Sequence, residues 1–131
     1  MATIKRFEDL EIWKHSRQLN KKIHPFLQNL IDKRNYELYK QIDRSAGSIM
    51  DNIAEGFERD GNREFIQFLS ISKASAGEMR SQLYRALDRE LIEEEKFEEY
   101  QNDCIAISNQ IGKFINYLNN SDIKGKKYIR K

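Results

Sequence analysis

Cysteine is almost absent from this chain of 131 residues: Cys104 stands alone, so no disulfide framework can form within one chain. Histidine is nearly as scarce. His15 and His24 are preceded, three positions earlier, by Ile12 and Lys21, so the Glu-x-x-His pairs of carboxylate-bridged metal bundles are missing. One Cys and two separated His cannot make a structural zinc site within one chain. No metal site and no cofactor is expected. No apolar run approaches the roughly 20 residues of a membrane span, and the first residues lack the apolar stretch of a signal peptide. These absences predict a reducing, cytoplasmic setting without a membrane partner.

What the chain has is charge and helical periodicity. Asp, Glu, Lys and Arg make up 34% of it and the mean hydropathy is -0.80, as suits a helical protein with well-solvated outer faces. The formal net charge of +2 is too small to argue nucleic-acid binding by itself. Its distribution says more. Residues 1–40 hold nine Lys/Arg against five Asp/Glu, residues 88–103 two against eight, and residues 121–131 five against Asp122 alone. Local fields of opposite sign suit self-association as readily as RNA.

Apolar residues recur at steps of three and four in four segments, each a helix with one buried stripe. The first starts near Asp9, a candidate N-cap, and runs through Ile12, Ser16, Leu19, Ile23, Phe26 and Leu30, with a kink expected at Pro25. The second buries Leu38, Ile42, Ala46, Ile49, Ile53 and Phe57, and ends at Arg59-Asp60-Gly61-Asn62, where Asp60 or Asn62 can cap the third. The third aligns Phe65, Leu69, Ser72, Ala76, Met79, Leu83 and Ala86; the fourth Phe97, Tyr100, Cys104, Ile107, Ile111, Phe114 and Leu118. Short connections predict an all-α, up-down-up-down antiparallel four-helix bundle over residues 1–120, followed by a basic tail, residues 121–131.

Small residues are concentrated on two segments. Ala46, Gly47, Ser48, Ala54 and Gly56 are expected to face Ser72, Ala74, Ser75, Ala76 and Gly77, letting backbones approach either inside the bundle or between subunits. Arg44, Ser48, Asn52, Glu55 and Arg59 fall within a sector of about 80° opposite Ile42, Ile49 and Ile53. That face is either solvated, a polar network at a helix or subunit contact, or a ligand site. Cys104, on the buried stripe, reads as a core thiol, and the two His as solvated or interfacial. The run Gly56 to Arg63 has the glycine spacing of a phosphate loop, but Asn62-Arg63 replaces its Lys-Ser/Thr and no strand precedes it. No catalytic constellation emerges.

The stretch Arg44-Ser45-Ala46-Gly47-Ser48-Ile49-Met50-Asp51-Asn52-Ile53-Ala54-Glu55-Gly56-Phe57, with Arg59 beyond it, resembles the signature block of the 23S rRNA intervening-sequence family of four-helix bundles. The opening Phe7, Leu10, Trp13, Ser16 and Leu19 is similar to that family's start, with Ser16 at a usual Ala. The run from Phe65 to Leu83 looks like its third region; Ser75 and Glu78 agree and Ser72 and Ala74 depart. The resemblance covers about residues 7 to 118.

It implies a bundle that assembles into a ring, typically a homopentamer, with no agreed catalytic activity. It also implies a link to insertions in bacterial 23S rRNA genes and to accessory proteins of diversity-generating retroelements, which bind nucleic acid and a reverse transcriptase. Arg44, Ser48, Asn52, Glu55, Gly56 and Arg59 then read as architectural. The expectation is a non-enzymatic ring-forming adaptor that binds RNA or DNA through basic surface gathered by symmetry. Candidate contacts are Lys14, Arg17, Lys21, Arg63, Lys73 and Arg80, with Lys124, Lys126, Lys127, Arg130 and Lys131 in the tail. The alternative is a protein-interaction scaffold that binds no nucleic acid.

Overall fold

A computed structural model describes residues 4–120. Those residues are all helical or connecting, with no strand among them. A 3-10 turn at Phe7–Asp9 leads into α1 (Glu11–Lys22), α2 (His24–Asp32), α3 (Tyr36–Phe57), α4 (Asn62–Asp88) and α5 (Glu94–Asn119). With α1 and α2 as two halves of the first arm, this is a four-helix bundle. α3 packs on α4, α4 on α5, and α1 on both α3 and α5, while α2 packs on α3. The tail, residues 121–131, lies outside the described residues.

The apolar stripes form one core. Every residue read from periodicity on the second and third segments is buried, from Leu38 to Phe57 and from Phe65 to Ala86. On α5 the stripe is buried too, except Phe114, which is only partly buried and packs edge-on against Phe65 with ring centroids 5.6 Å apart. The small-residue expectation holds only in part. Ser72 and Ala76 are buried and Ser75 meets Ser48, but Ala74 and Gly77 are exposed. Gly56 does serve close approach: an added β-carbon would stand 2.7 Å from the β-carbon of Phe68.

The helix ends correct three expectations. Pro25 does not kink a continuous helix; α1 stops at Lys22, and Pro25 occupies the first turn of α2, where a missing N–H breaks no bond. The first long helix is preceded by Leu10 rather than capped by Asp9, which belongs to the 3-10 turn. Neither Asp60 nor Asn62 caps α4. Gly61 holds the N-cap position without a side-chain bond, and Asn62 is turned inward, 6% exposed. Its amide N and O have no partner among the described residues, which is costly for a buried polar group. The turns after α2 and α4 close by 6→1 hydrogen bonds, Asn35 N–H to Leu30 O at 2.8 Å and Leu91 N–H to Ala86 O at 2.9 Å. Arg34 (φ 61°) and Glu90 (φ 57°) sit in the left-handed position that such turns require.

Four helix–helix contacts are each pinned by a side chain donating to a backbone carbonyl of the neighbouring helix. Asn20 reaches Ala46 O from α1 to α3 at 2.9 Å, and Ser72 reaches Ile49 O from α4 to α3 at 2.6 Å. Gln101 reaches Arg80 O from α5 to α4 at 2.9 Å, and Tyr100 reaches Lys22 O from α5 to α1 at 3.1 Å. A carbonyl inside a helix has a second lone pair to offer, so these bonds fix register without breaking the helices they touch.

Candidate nucleic-acid interface

The cations differ sharply in what they are already doing. Lys22 donates to Asp103 at 2.7 Å and pairs with Glu99 at 2.9 Å, tying the basic α1 to the acidic start of α5 within one chain. The Asp103 hydrogen bond, then the Glu99 bond, raises the Lys22 pKa above its ordinary value. Arg59 bonds Glu55 at 3.1 Å, lies 3.6 Å from Glu64 and covers the Phe68 ring at 4.8 Å. Arg85 donates to Gln41 at 2.6 Å. Arg80 is a correction to the candidate set: it is half-buried between α4 and α5, and its Nε donates to Gln101 at 3.2 Å.

On α1 the balance is different. Lys14, Arg17 and Lys21 are exposed and share the face turned away from Ile12, Ser16 and Leu19. Lys14 has only a 3.4 Å contact to Glu11, itself highly exposed. Arg17 lies over the Trp13 ring at 5.9 Å, and Phe7 packs on that ring edge-on at 5.2 Å. Lys21 has no ion pair among the described residues. The three side chains span about 10 Å along the axis at 1.5 Å per residue, a usable ladder for successive phosphates. Arg63 and Lys73 are also exposed but lie on α4, so the described candidates do not form one patch. Lys124, Lys126, Lys127, Arg130 and Lys131 lie outside the described residues.

The signature face of α3 is a polar seam against α4. Ser48 and Ser75 share a hydrogen bond of 2.7 Å, and Asn52 Nδ2 donates to the carbonyl and the hydroxyl of Ser48, both at 2.9 Å. Ser45 donates to Glu78 at 3.3 Å. Glu55 and Arg59 pair with each other outside this seam, and Arg44 is exposed with no polar partner among the described residues. The seam thus holds Ser48 and Asn52 inside one bundle.

Cys104 is fully buried, and burial pushes its thiol pKa up to about 12. His15 is exposed and its Nδ1 lies 2.6 Å from Gln110 Oε1. No group of three or more His, Cys, Asp or Glu among the described residues is placed to hold a metal ion, and no described helix is long and apolar enough to cross a membrane. Gly56 lies in the last turn of α3 and Gly61 at the α4 N-cap, so the glycine pair frames a helix–helix turn. Asn20 and Gln101 hold the packing together through their interhelical bonds and escape a reading by sequence pattern. Asn20 and Gln101 sit at the edges of the apolar stripes, the one signal that could have singled them out.

A four-helix bundle joined by polar seams, with a cationic ladder on its first arm, is the class of protein these observations define. Residues 8–113 match the family described as 23S rRNA-intervening sequence protein, and the chain belongs to that family. Among solved structures, it is similar to a protein with unknown function from the S23 ribosomal protein family of Bacteroides thetaiotaomicron, determined at 1.70 Å. The two share 27% identity with a TM-score of 0.75, over 79% of this chain and 97% of the other. No curated protein matches it significantly.

Proposed function

We propose that this protein is a non-enzymatic adaptor that binds nucleic acid, RNA first, through the outward face of α1. The observation that carries the reading is the contrast between Lys14, Arg17 and Lys21, exposed on one face, and Lys22, Arg59, Arg80 and Arg85, held by partners within the chain. A phosphate backbone asks for cations whose charge is not already spent, and the Lys14 pair with Glu11, long at 3.4 Å and solvent-exposed, spends little of it. Three such groups bind weakly alone. An up-down bundle repeated around a ring multiplies them, and a homopentamer would present fifteen from α1, before the tail cations are counted. Membership in a family named for the 23S rRNA intervening sequence supports RNA over other polyanions.

A protein-interaction scaffold is the second reading. The acidic stretch of residues 88–103, eight Asp/Glu against two Lys/Arg, supports it, because local fields of opposite sign suit docking between proteins. Salt separates the two. The test is binding of RNA by the full chain across a salt series, beside a variant carrying Lys14→Glu, Arg17→Glu and Lys21→Glu, with the mass of each measured in solution.

A further inference from the structure

Trp13 is the chain's one tryptophan, and it stands beside the cationic ladder of α1. One helical turn on, Arg17 carries its guanidinium over the indole at 5.9 Å from the ring centroid, and Phe7 braces the same ring edge-on at 5.2 Å. Trp13 is only half-buried against the core, and Arg17 is exposed. Arg17 enters no hydrogen bond or ion pair among the described residues. Its neighbours one turn away on α1 are Trp13, Lys14, Asn20 and Lys21, so no carboxylate adjoins it on that helix. Further out the charges offset one another: Lys5 and Arg6 stand against Glu8 and Asp9 around Phe7, and Lys14 against Glu11.

We propose that Trp13 and Arg17 take up an unpaired base of single-stranded RNA, while Lys14 and Lys21 hold phosphates on either side of it. This rests on the phosphate-binding reading of α1 and adds the kind of RNA that α1 takes. A base inside a duplex has both faces covered by its neighbours, whereas an unpaired base offers a π face to an aromatic ring or a guanidinium plane. A base held between indole and guanidinium needs about 7 Å, two contact layers of about 3.5 Å each. At 5.9 Å, Arg17 stands beyond direct stacking contact and about 1 Å short of that opening. Its exposed, unpaired stem is free to swing by that much. Lys14 and Lys21 lie about 10 Å apart along the axis, one before Arg17 and one after it. Stacking of this kind tolerates any base, so no strong sequence preference follows.

The test is the emission of Trp13 in the nuclease-treated full chain at about 50 mM salt. The protein is titrated with an oligouridylate of about 12 nucleotides and with an RNA duplex of the same length, and binding of each is followed separately by anisotropy of end-labelled RNA. The single strand is expected to quench Trp13 and the duplex to leave it unchanged. Arg17→Lys keeps the charge and removes the plane. It should weaken single-strand binding about tenfold without altering its salt slope, and leave duplex binding as it was. Binding with Trp13 emission unmoved, equal quenching by the duplex, or an Arg17→Lys effect that is absent or the same on both RNAs would each overturn the base site, while phosphate binding by α1 would stand. No binding of either RNA would overturn both.

Discussion

Gly56 and Phe68 approach so closely that a β-carbon on Gly56 would lie 2.7 Å from the β-carbon of Phe68, with Phe65 Cδ1 at 2.9 Å and Phe65 O at 3.3 Å. The first atom met is anchored directly to the α4 backbone, so it cannot swing aside as a side-chain tip would. Overpacking of this kind costs about 1–3 kcal/mol, against a helix-propensity gain of roughly 1 kcal/mol for Ala over Gly. Gly56→Ala is expected to lower stability by about 1–2 kcal/mol. Gly77, exposed on α4 with nothing within 4 Å of an added β-carbon, should behave oppositely, gaining up to about 1 kcal/mol as Ala. Urea midpoints of the two variants check this; equal shifts of one sign would contradict it.

Arg34 and Glu90 end α2 and α4 with left-handed backbone. An L side chain pays about 1 kcal/mol there that glycine does not. Arg34→Gly and Glu90→Gly should each raise the thermal midpoint, and the double variant should add them, because the two turns are separate units. A drop in either single variant would show that the side chain, not the backbone, holds the turn.

Cys104 is fully buried and its thiol is held protonated, with a pKa of about 12. Alkylation needs the thiolate, so at neutral pH it should wait for the bundle to open. Labelling of the native protein is expected to run at least about a thousandfold slower than in urea, following the unfolded fraction. Fast labelling without denaturant would contradict the core position.

The Lys22 contact with Glu99 and Asp103 predicts how stability follows pH. The Glu99 pKa is lowered, first by the Lys22 hydrogen bond and then by Lys96, so its contribution is present above its ordinary value of 4.5 and is lost as pH falls through the lower folded value. The Lys22 pKa is raised, so its contribution is complete below 10.5 and is lost as pH rises through the higher folded value. Burial raises Cys104 above 9.0 and Tyr100 above 10.0, and their contributions are likewise lost on the alkaline side. A plateau between about pH 5 and about pH 9 follows. Lys22→Met should flatten part of the acid limb by a small amount, since the pair is solvent-screened. Superimposable wild-type and Lys22→Met curves would contradict the contact.

The helical stripes were legible because each helix buries one face and apolar spacing reports that face directly. Leu38 through Phe57 could be read this way, and so could the inertness of Cys104. The polar seam of Ser48 and Asn52 was legible as a face but not as a set of bonds. Its closing partner, Ser75, sits on another helix, and only packing sets the register between them. Asn20 and Gln101 were hidden for the same reason, since a donor to a neighbouring carbonyl leaves no local pattern. Arg80 looked like a free cation because sequence shows charge but not the amide that absorbs it. Pro25 was misplaced within its helix because one proline suits an interruption and a first turn alike.

Phosphate binding by the cationic ladder of α1 is open to direct measurement by fluorescence anisotropy of RNA with nuclease-treated protein. Salt would run from about 50 to about 200 mM, for the full chain and the Lys14→Glu, Arg17→Glu, Lys21→Glu variant. The full chain should bind with an affinity that weakens steeply with salt. In the variant the slope should fall by about 0.7–0.9 for each phosphate it no longer neutralises, with its mass in solution unchanged. Absence of binding at the lowest salt, or an identical slope in the variant, would contradict a phosphate-binding α1.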